Sequence, residues 1–231
     1  MNKKTHFGQR IEEFYRRLEA PKLPRGITAM NPHREPETQK YVQKFLYKYF
    51  GDNRGRILVF GINPGRFGAG VTGVGFTDPV ALENFCGIAN SLDKKRELSS
   101  VFVYDFIQKW GGAEKFYSQF FLTAVSPLGF LKKGINYNYY DNPKLLEAVE
   151  PFVVQTIRDQ IASGGRREVT ILLGSGKNQR VFNHLNEKHK FFKRVLAVDH
   201  PRFVMQYKRK QLPEYLEKYR EVFELAAVAT Q

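Results

Sequence analysis

The sequence predicts an α/β fold, a single domain with a central, mainly parallel four-stranded sheet flanked by helices. Three observations carry that prediction. Four apolar runs of strand length recur along the 231 residues. Each is apolar on both faces, as expected for strands in a sheet that is covered on two sides. Helical patterns alternate with them, as parallel crossover connections require.

The elements follow in chain order. An amphipathic helix is expected to open the protein, with Ile11, Phe14, Tyr15 and Leu18 on one stripe. Residues 20–36 carry Pro21, Pro24, Pro32 and Pro36 and read as an ordered but irregular connector. A second helix, "ETQKYVQKFLYKYF", runs over 37–50 and stops at Gly51. The strands are "RILVFGI" (56–62), "FFLTAVSPL" (120–128), "EVTILLG" (168–174) and "RVLAVDH" (194–200). Helices are expected near 79–92, 97–110, 143–162 and 177–187, and "LPEYLEKYREVFELAAV" closes the chain. No linker, repeat or low-complexity tract divides it, so residues 1–231 read as one domain with 1–36 as its N-terminal helix and connector.

Composition narrows the classes. Hydrophobic content of 42% and aromatic content of 14% are those of a folded protein. No apolar run approaches the ~18 residues a membrane span needs. The charged start "MNKKTHFGQRIEEFYRRL" has no apolar leader core. The expectation is a cytoplasmic protein of bacterial type, monomeric, without membrane attachment. Cys86 alone allows no disulfide within the chain and no four-cysteine site, and reads as a small buried hydrophobe. No His-x-Glu, Cys-x-x-Cys or His-x-x-x-His cluster is present, so neither metal nor cofactor is expected. Lys and Arg number 37 against 23 acids, a net charge of +14, which raises nucleic acid as a partner.

Two glycine motifs mislead. Gly68, Gly70 and Gly73 match GxGxxG, but Asn-Pro-Gly separates them from the strand and no long helix follows. "GSGKNQR" (174–180) lacks the spacing of a phosphate loop and reads as a strand-to-helix turn.

In open parallel sheets, ligands bind outside the carboxyl ends of the strands. Those ends carry Asn63-Pro64-Gly65, Ser126-Pro127, Gly174-Ser175-Gly176 and Asp199-His200-Pro201. An asparagine can orient water without titrating, and a histidine can donate to a developing anion. Together they suit a leaving group departing through an oxocarbenium-like state. A phenylalanine able to stack on a ring, and a basic surface, point to an enzyme acting on a base flipped from nucleic acid.

"GINPGRFGAGVTGVGF", followed far downstream by "HPR", resembles the uracil-DNA glycosylase superfamily. It is most similar to the single-strand-selective monofunctional uracil-DNA glycosylases. "MNPHREPETQKYVQKFL", "FFLTAVSPLGFL", "LLGSGKNQRVFNHL" and "VDHPR" fall in the family's order, and the resemblance covers about residues 20–212. It implies a monofunctional DNA glycosylase that removes uracil and related pyrimidines and initiates base excision repair. No pocket lysine is present for a coupled lyase step. A nucleic-acid-binding protein without activity, or a hydrolase of free nucleosides, are the alternatives.

By that resemblance Asn63 positions the water that attacks C1′, and His200 stabilises the departing base through O2. Phe76 stacks on the base, and backbone around Gly61, Ile62, Pro64 and Phe67 meets its edge. The competing readings are a turn or cap for Asn63, a structural hydrogen bond for His200 and core packing for Phe76. Two positions depart from the family pattern. Ala124 stands where an asparagine reads the base edge, which leaves Thr123, Ser126, Asn136 or Asn138 to substitute. The usual His-Pro-Ser-Pro-Arg is shortened to "HPRFVMQYKRK". There Phe203, Val204 and Met205 are expected as a DNA wedge, framed by Arg202, Lys208, Arg209 and Lys210. Gly65 replaces a tyrosine that closes the space beside C5 in the classical uracil enzymes. It is expected both to permit an unusual turn and to admit 5-hydroxymethyluracil.

Overall fold

The computed structural model describes residues 5–230. Residues 1–4, on which the leader reading partly rests, lie outside that range. Helix α1 (Phe7–Arg16) starts with a reciprocal cap between His6 and Gln9. It is followed by β1 (Ile27–Met30) and α2 (Pro36–Tyr49). Strand β2 (Ile57–Gly61) leads through the short α3 (Ala69–Thr72) and α4 (Pro79–Asn84) to α5 (Leu98–Trp110) and α6 (Ala113–Tyr117). Then come β3 (Phe120–Ala124), β4 (Gly129–Lys132), β5 (Ile135–Tyr137) and the long α7 (Pro143–Ala162). The chain continues through β6 (Val169–Leu173), α8 (Lys177–His189) and β7 (Arg194–Val198). It closes with α9 (Pro201–Tyr207) and α10 (Leu212–Val228).

The central sheet has the order β3-β2-β6-β7, and every neighbouring pair is parallel. All ten residues of the two inner strands, β2 and β6, are buried. That explains why their sequences show no alternation. Gly61 pairs with Ala124 and Leu173 with Val198, so the strands end level and their loops leave from one edge. Buried Arg56 anchors the entry to β2. Its guanidinium donates to Tyr117 O (2.8 Å), Arg54 O (2.6 Å) and Asp52 (2.9 and 3.1 Å). Removing any of these acceptors would leave a buried cation short of partners.

A second sheet was not expected. Strands β1, β4 and β5 form an antiparallel set in the order β1-β4-β5, with Met30 opposite Gly129 and Phe130 opposite Tyr137. The 20–36 connector therefore holds a strand and a 3-10 turn, Pro32–Arg34, rather than irregular chain alone. Strands of three or four residues with irregular exposure carry no readable period, and β1 pairs with a strand far along the chain, Ile27 opposite Lys132. The expected helix at 79–92 is also shorter, ending at Asn84.

Candidate active site

A cavity of about 290 Å³ opens at the carboxyl edge of β2, β3 and β7. Asn63, Phe76 and His200 all line it, together with Gly61, Ile62, Pro64 and Gly65.

The amide of Asn63 is held on both sides by the segment after β5. Its Nδ2 donates to Tyr137 O (3.3 Å), and its Oδ1 accepts from the Tyr139 N–H (3.1 Å). One partner is only an acceptor and the other only a donor, so the amide has a single satisfying orientation. Tyr139 is itself fixed, because its buried hydroxyl donates to Asn178 Oδ1 (2.9 Å). A carbonyl oxygen carries two lone pairs, so Oδ1 keeps one free for water while the backbone holds the other.

His200 caps α9. Its Nδ1 accepts from the Arg202 N–H (3.2 Å), which assigns the ring proton to Nε2 at the opposite edge. Burial, with Arg202 close by, pushes the imidazole pKa down to about 4. A neutral Nε2–H donor in a sheltered cavity is suited to an anion that develops during reaction. The preceding Asp199 is engaged by other groups. Its carboxylate accepts from Ser175 Oγ, and its carbonyl accepts from Tyr219 OH (2.5 Å) on α10. These contacts fix the end of β7 and tie it to the 174–176 turn.

Phe76 adopts φ +54°, uncommon for an aromatic residue. The ring lies so close over the end of β2 that a Cβ on Gly61 would stand 2.5 Å from Phe76 Cζ. Gly61 thus makes room for the ring, and the strained backbone delivers it to the cavity.

The profile of the uracil DNA glycosylase superfamily matches residues 48–224. The chain belongs to that superfamily. It is similar to the crystal structure of wild-type SMUG2 from Pedobacter heparinus, with 42% identity and a TM-score of 0.93. That similarity covers 96% of this chain and 98% of the other. No curated protein sequence matches the chain. Within the superfamily this is a SMUG-like uracil-DNA glycosylase, a hydrolase acting on DNA.

Several expected site residues lie away from this cavity or are engaged in other contacts. Ser126 is fully buried and donates to Leu128 O (2.8 Å), so it shapes a turn and does not read a base. Thr123 lines the cavity, but its hydroxyl is bonded to Gln160 Oε1 (2.5 Å). Phe67 points away to the surface, 43% exposed, with the Arg66 guanidinium 4.6 Å from its ring centre. The wedge is not an apolar knuckle. Residues 201–207 are helical, and Val204 and Met205 face the core, leaving only Phe203 exposed among the three. Helical periodicity hides two of every few neighbours, which a loop reading cannot anticipate. Gly65 lacks a left-handed φ, so no unusual turn demands glycine there.

The cavity also uses residues that pattern reading passed over. Tyr15 and His33 line it as a stacked pair, ring centres 3.9 Å apart. Tyr15 was read as one more core residue of the first helical stripe, and His33 sits in the proline-rich connector with no period to mark it. Glu97 lines the wall too, although "DKKREL" looks like a solvated charged run. Its position just before α5 was the one available sign. Asn136 and Asn138 do reach the cavity, as the loop-closure alternative required.

Two desolvated histidines, buried His33 and half-buried His200, set an acid limit on stability. Burial pushes His33 down to about 3 and His200 to about 4, from an ordinary 6.5. Between those values and 6.5 the unfolded chain binds protons that the folded chain does not. Stability therefore falls as pH drops through that window, by at most ~1.4 kcal/mol per pH unit for each ring. The thermal midpoint should decline steadily from pH 6.5 towards 4. His33→Phe, which keeps an aromatic ring on Tyr15 without the titration, should flatten the decline. An equally steep slope in that variant would assign the effect to other groups.

Proposed function

We propose that the protein hydrolyses the N-glycosidic bond of uracil and 5-substituted uracils, such as 5-hydroxymethyluracil, in DNA. The observation that carries this reading is the convergence of three groups on one cavity. They are an asparagine of fixed orientation, a neutral histidine donor and a phenylalanine face. The Asn63 carboxamide oxygen holds the water that adds to C1′. As the C1′–N1 bond breaks, its electron pair leaves with the base, and the Nε2–H of His200 stabilises the charge gathering at O2. The proton released by the attacking water passes to solvent or to the free base. Phe76 stacks on the extruded ring.

Gly65 widens the same cavity beside C5. A Cβ there would come 2.8 Å from Glu97 Oε1, so a tyrosine must both displace that carboxyl and fill the space. Gly65→Tyr is expected to lower excision of 5-hydroxymethyluracil at least tenfold more than that of uracil, of the order of one lost contact plus a clash. An unchanged ratio between the two substrates would mean that Gly65 does not govern access at C5.

DNA lies across the N-terminus of α9 and the basic segment after it. Arg202 borders the cavity, Phe203 and Tyr207 form an exposed aromatic pair 5.5 Å apart, and Arg209 and Lys210 are exposed beside half-buried Lys208. Phe203 is the residue free to fill the gap left by an extruded base. Replacing Lys208, Arg209 and Lys210 together by alanine should weaken binding to all sequences. It should also flatten the plot of log K against log salt by up to ~3 units. An unaltered salt slope would move the DNA to another face.

The activity itself is read by incubating the protein with duplexes carrying uracil or 5-hydroxymethyluracil, followed by alkali. Strand scission at the modified base is the expected result. Tight binding with intact strands would contradict the catalytic reading.

A further inference from the structure

We propose that Glu97 and Asn136 form a subsite for a polar, uncharged substituent at C5 of the flipped base. The proposal rests on the placement of C5 beside Gly65 given above. Both side chains converge on that point. From the position a Gly65 Cβ would take, Glu97 Oε1 is 2.8 Å away and Asn136 Nδ2 is 3.6 Å away. The carboxyl of Glu97 also overlies Gly68, where any Cβ would overlap Oε2. Two glycines of the loop after β2 thus vacate the room this carboxyl occupies.

The hydrogen-bonding state of the pair matches a hydroxyl. Asn136 Oδ1 accepts from the Arg66 N–H (3.2 Å), which turns Nδ2 towards the cavity as a donor. Glu97 places its main-chain N–H on Asp78 Oδ2 (2.8 Å), while no side chain or backbone group among the described residues hydrogen-bonds its carboxyl. Burial raises its pKa, opposed by the nearby Arg202 cation, with the Asp78 carboxylate adding to the rise. A carboxyl acceptor and an amide donor therefore flank one small space, both lacking a partner. A hydroxymethyl group supplies one donor and one acceptor from a single oxygen. A methyl group supplies neither and would bury both protein groups unsatisfied. A carboxylate substituent would set two anions against each other.

This arrangement orders the substrates: hydroxymethyl is favoured relative to methyl, and a 5-carboxyl group is rejected by charge. The test compares single-turnover excision from duplexes carrying uracil, 5-hydroxymethyluracil or 5-carboxyluracil. Wild type, Glu97→Ala, Glu97→Gln and Asn136→Ala are measured, each rate divided by the uracil rate of the same preparation. Glu97→Ala and Asn136→Ala should lower the hydroxymethyl ratio by about tenfold or more. Both Glu97 variants should raise the carboxyl ratio by a similar factor, because they remove the repelling charge. A structural role alone would not increase any ratio. If Glu97→Ala loses all activity, Glu97→Gln and Asn136→Ala decide. Ratios within about twofold of wild type in the active variants would overturn the subsite while leaving the substrate reading intact. A wild type that excises uracil and refuses 5-hydroxymethyluracil would overturn both.

Discussion

Replacing Asn63 by alanine is expected to lower the single-turnover excision rate by ~10³-fold or more while binding to DNA changes little. In the role proposed for it the carboxamide acts on the attacking water, so its loss would be felt in the transition state rather than in the ground-state complex. Its geometry supports a large effect. Oδ1 is aimed by the Tyr139 N–H at 3.1 Å and Nδ2 by Tyr137 O at 3.3 Å, which leaves little freedom for the remaining lone pair. Alanine also frees those two backbone groups, so the 137–139 segment needs a check of its own. Affinity for a duplex bearing a stable abasic analogue provides it. Unchanged affinity with a collapsed rate places Asn63 in the chemistry. A rate near wild type removes it from the site.

His200→Ala is the second large effect, ~10²–10³-fold in rate, the cost of deleting one donor aimed at a developing anion. Because Nδ1 is occupied by the Arg202 N–H, the donor is the neutral Nε2–H, and activity should not require a protonated imidazole. With the pKa held near 4 by burial and the Arg202 cation, the rate should show no fall between pH 6 and 8 attributable to this ring. Leaving bases of lower pKa should be less sensitive to the substitution, since they need less help to depart. Equal losses for good and poor leaving groups would argue for a structural histidine, and a falling rate through pH 7 would argue for a cationic one.

The placement of both residues at strand ends was legible in the sequence because a polar break in an apolar run leaves a local mark. Asn-Pro-Gly interrupts an apolar run, and Asp-His-Pro interrupts another. The level ends of β2, β3 and β7 make those interruptions neighbours. The long amphipathic helices were equally plain: α7 and α10 begin and end where their patterns do, at Pro143–Ala162 and Leu212–Val228. The reading weakened wherever a residue's partner was remote. Ser126 looked polar and available, yet it is spent on Leu128 O within its own turn. Phe203, Val204 and Met205 looked like one apolar unit, yet the helix sends two inward and one outward.

By itself, then, the sequence determined the parallel sheet, the carboxyl edge on which Asn63 and His200 stand, and the family. These follow from periodicity and from short motifs, which are properties of adjacent residues. Only the tertiary structure decided how the cavity is walled. The second sheet brings Asn136 of β5 to the cavity, Asn63 is aimed by Tyr137 and Tyr139, and Tyr15 and His33 stack at the cavity from the N-terminal region. Glu97 fills space left by Gly65 and Gly68 from some thirty residues away. Each of these depends on chain closure between segments whose local sequence carries no record of the other. The physical reason is that a pattern encodes which face is buried, whereas a pocket is defined by which distant groups are buried against one another.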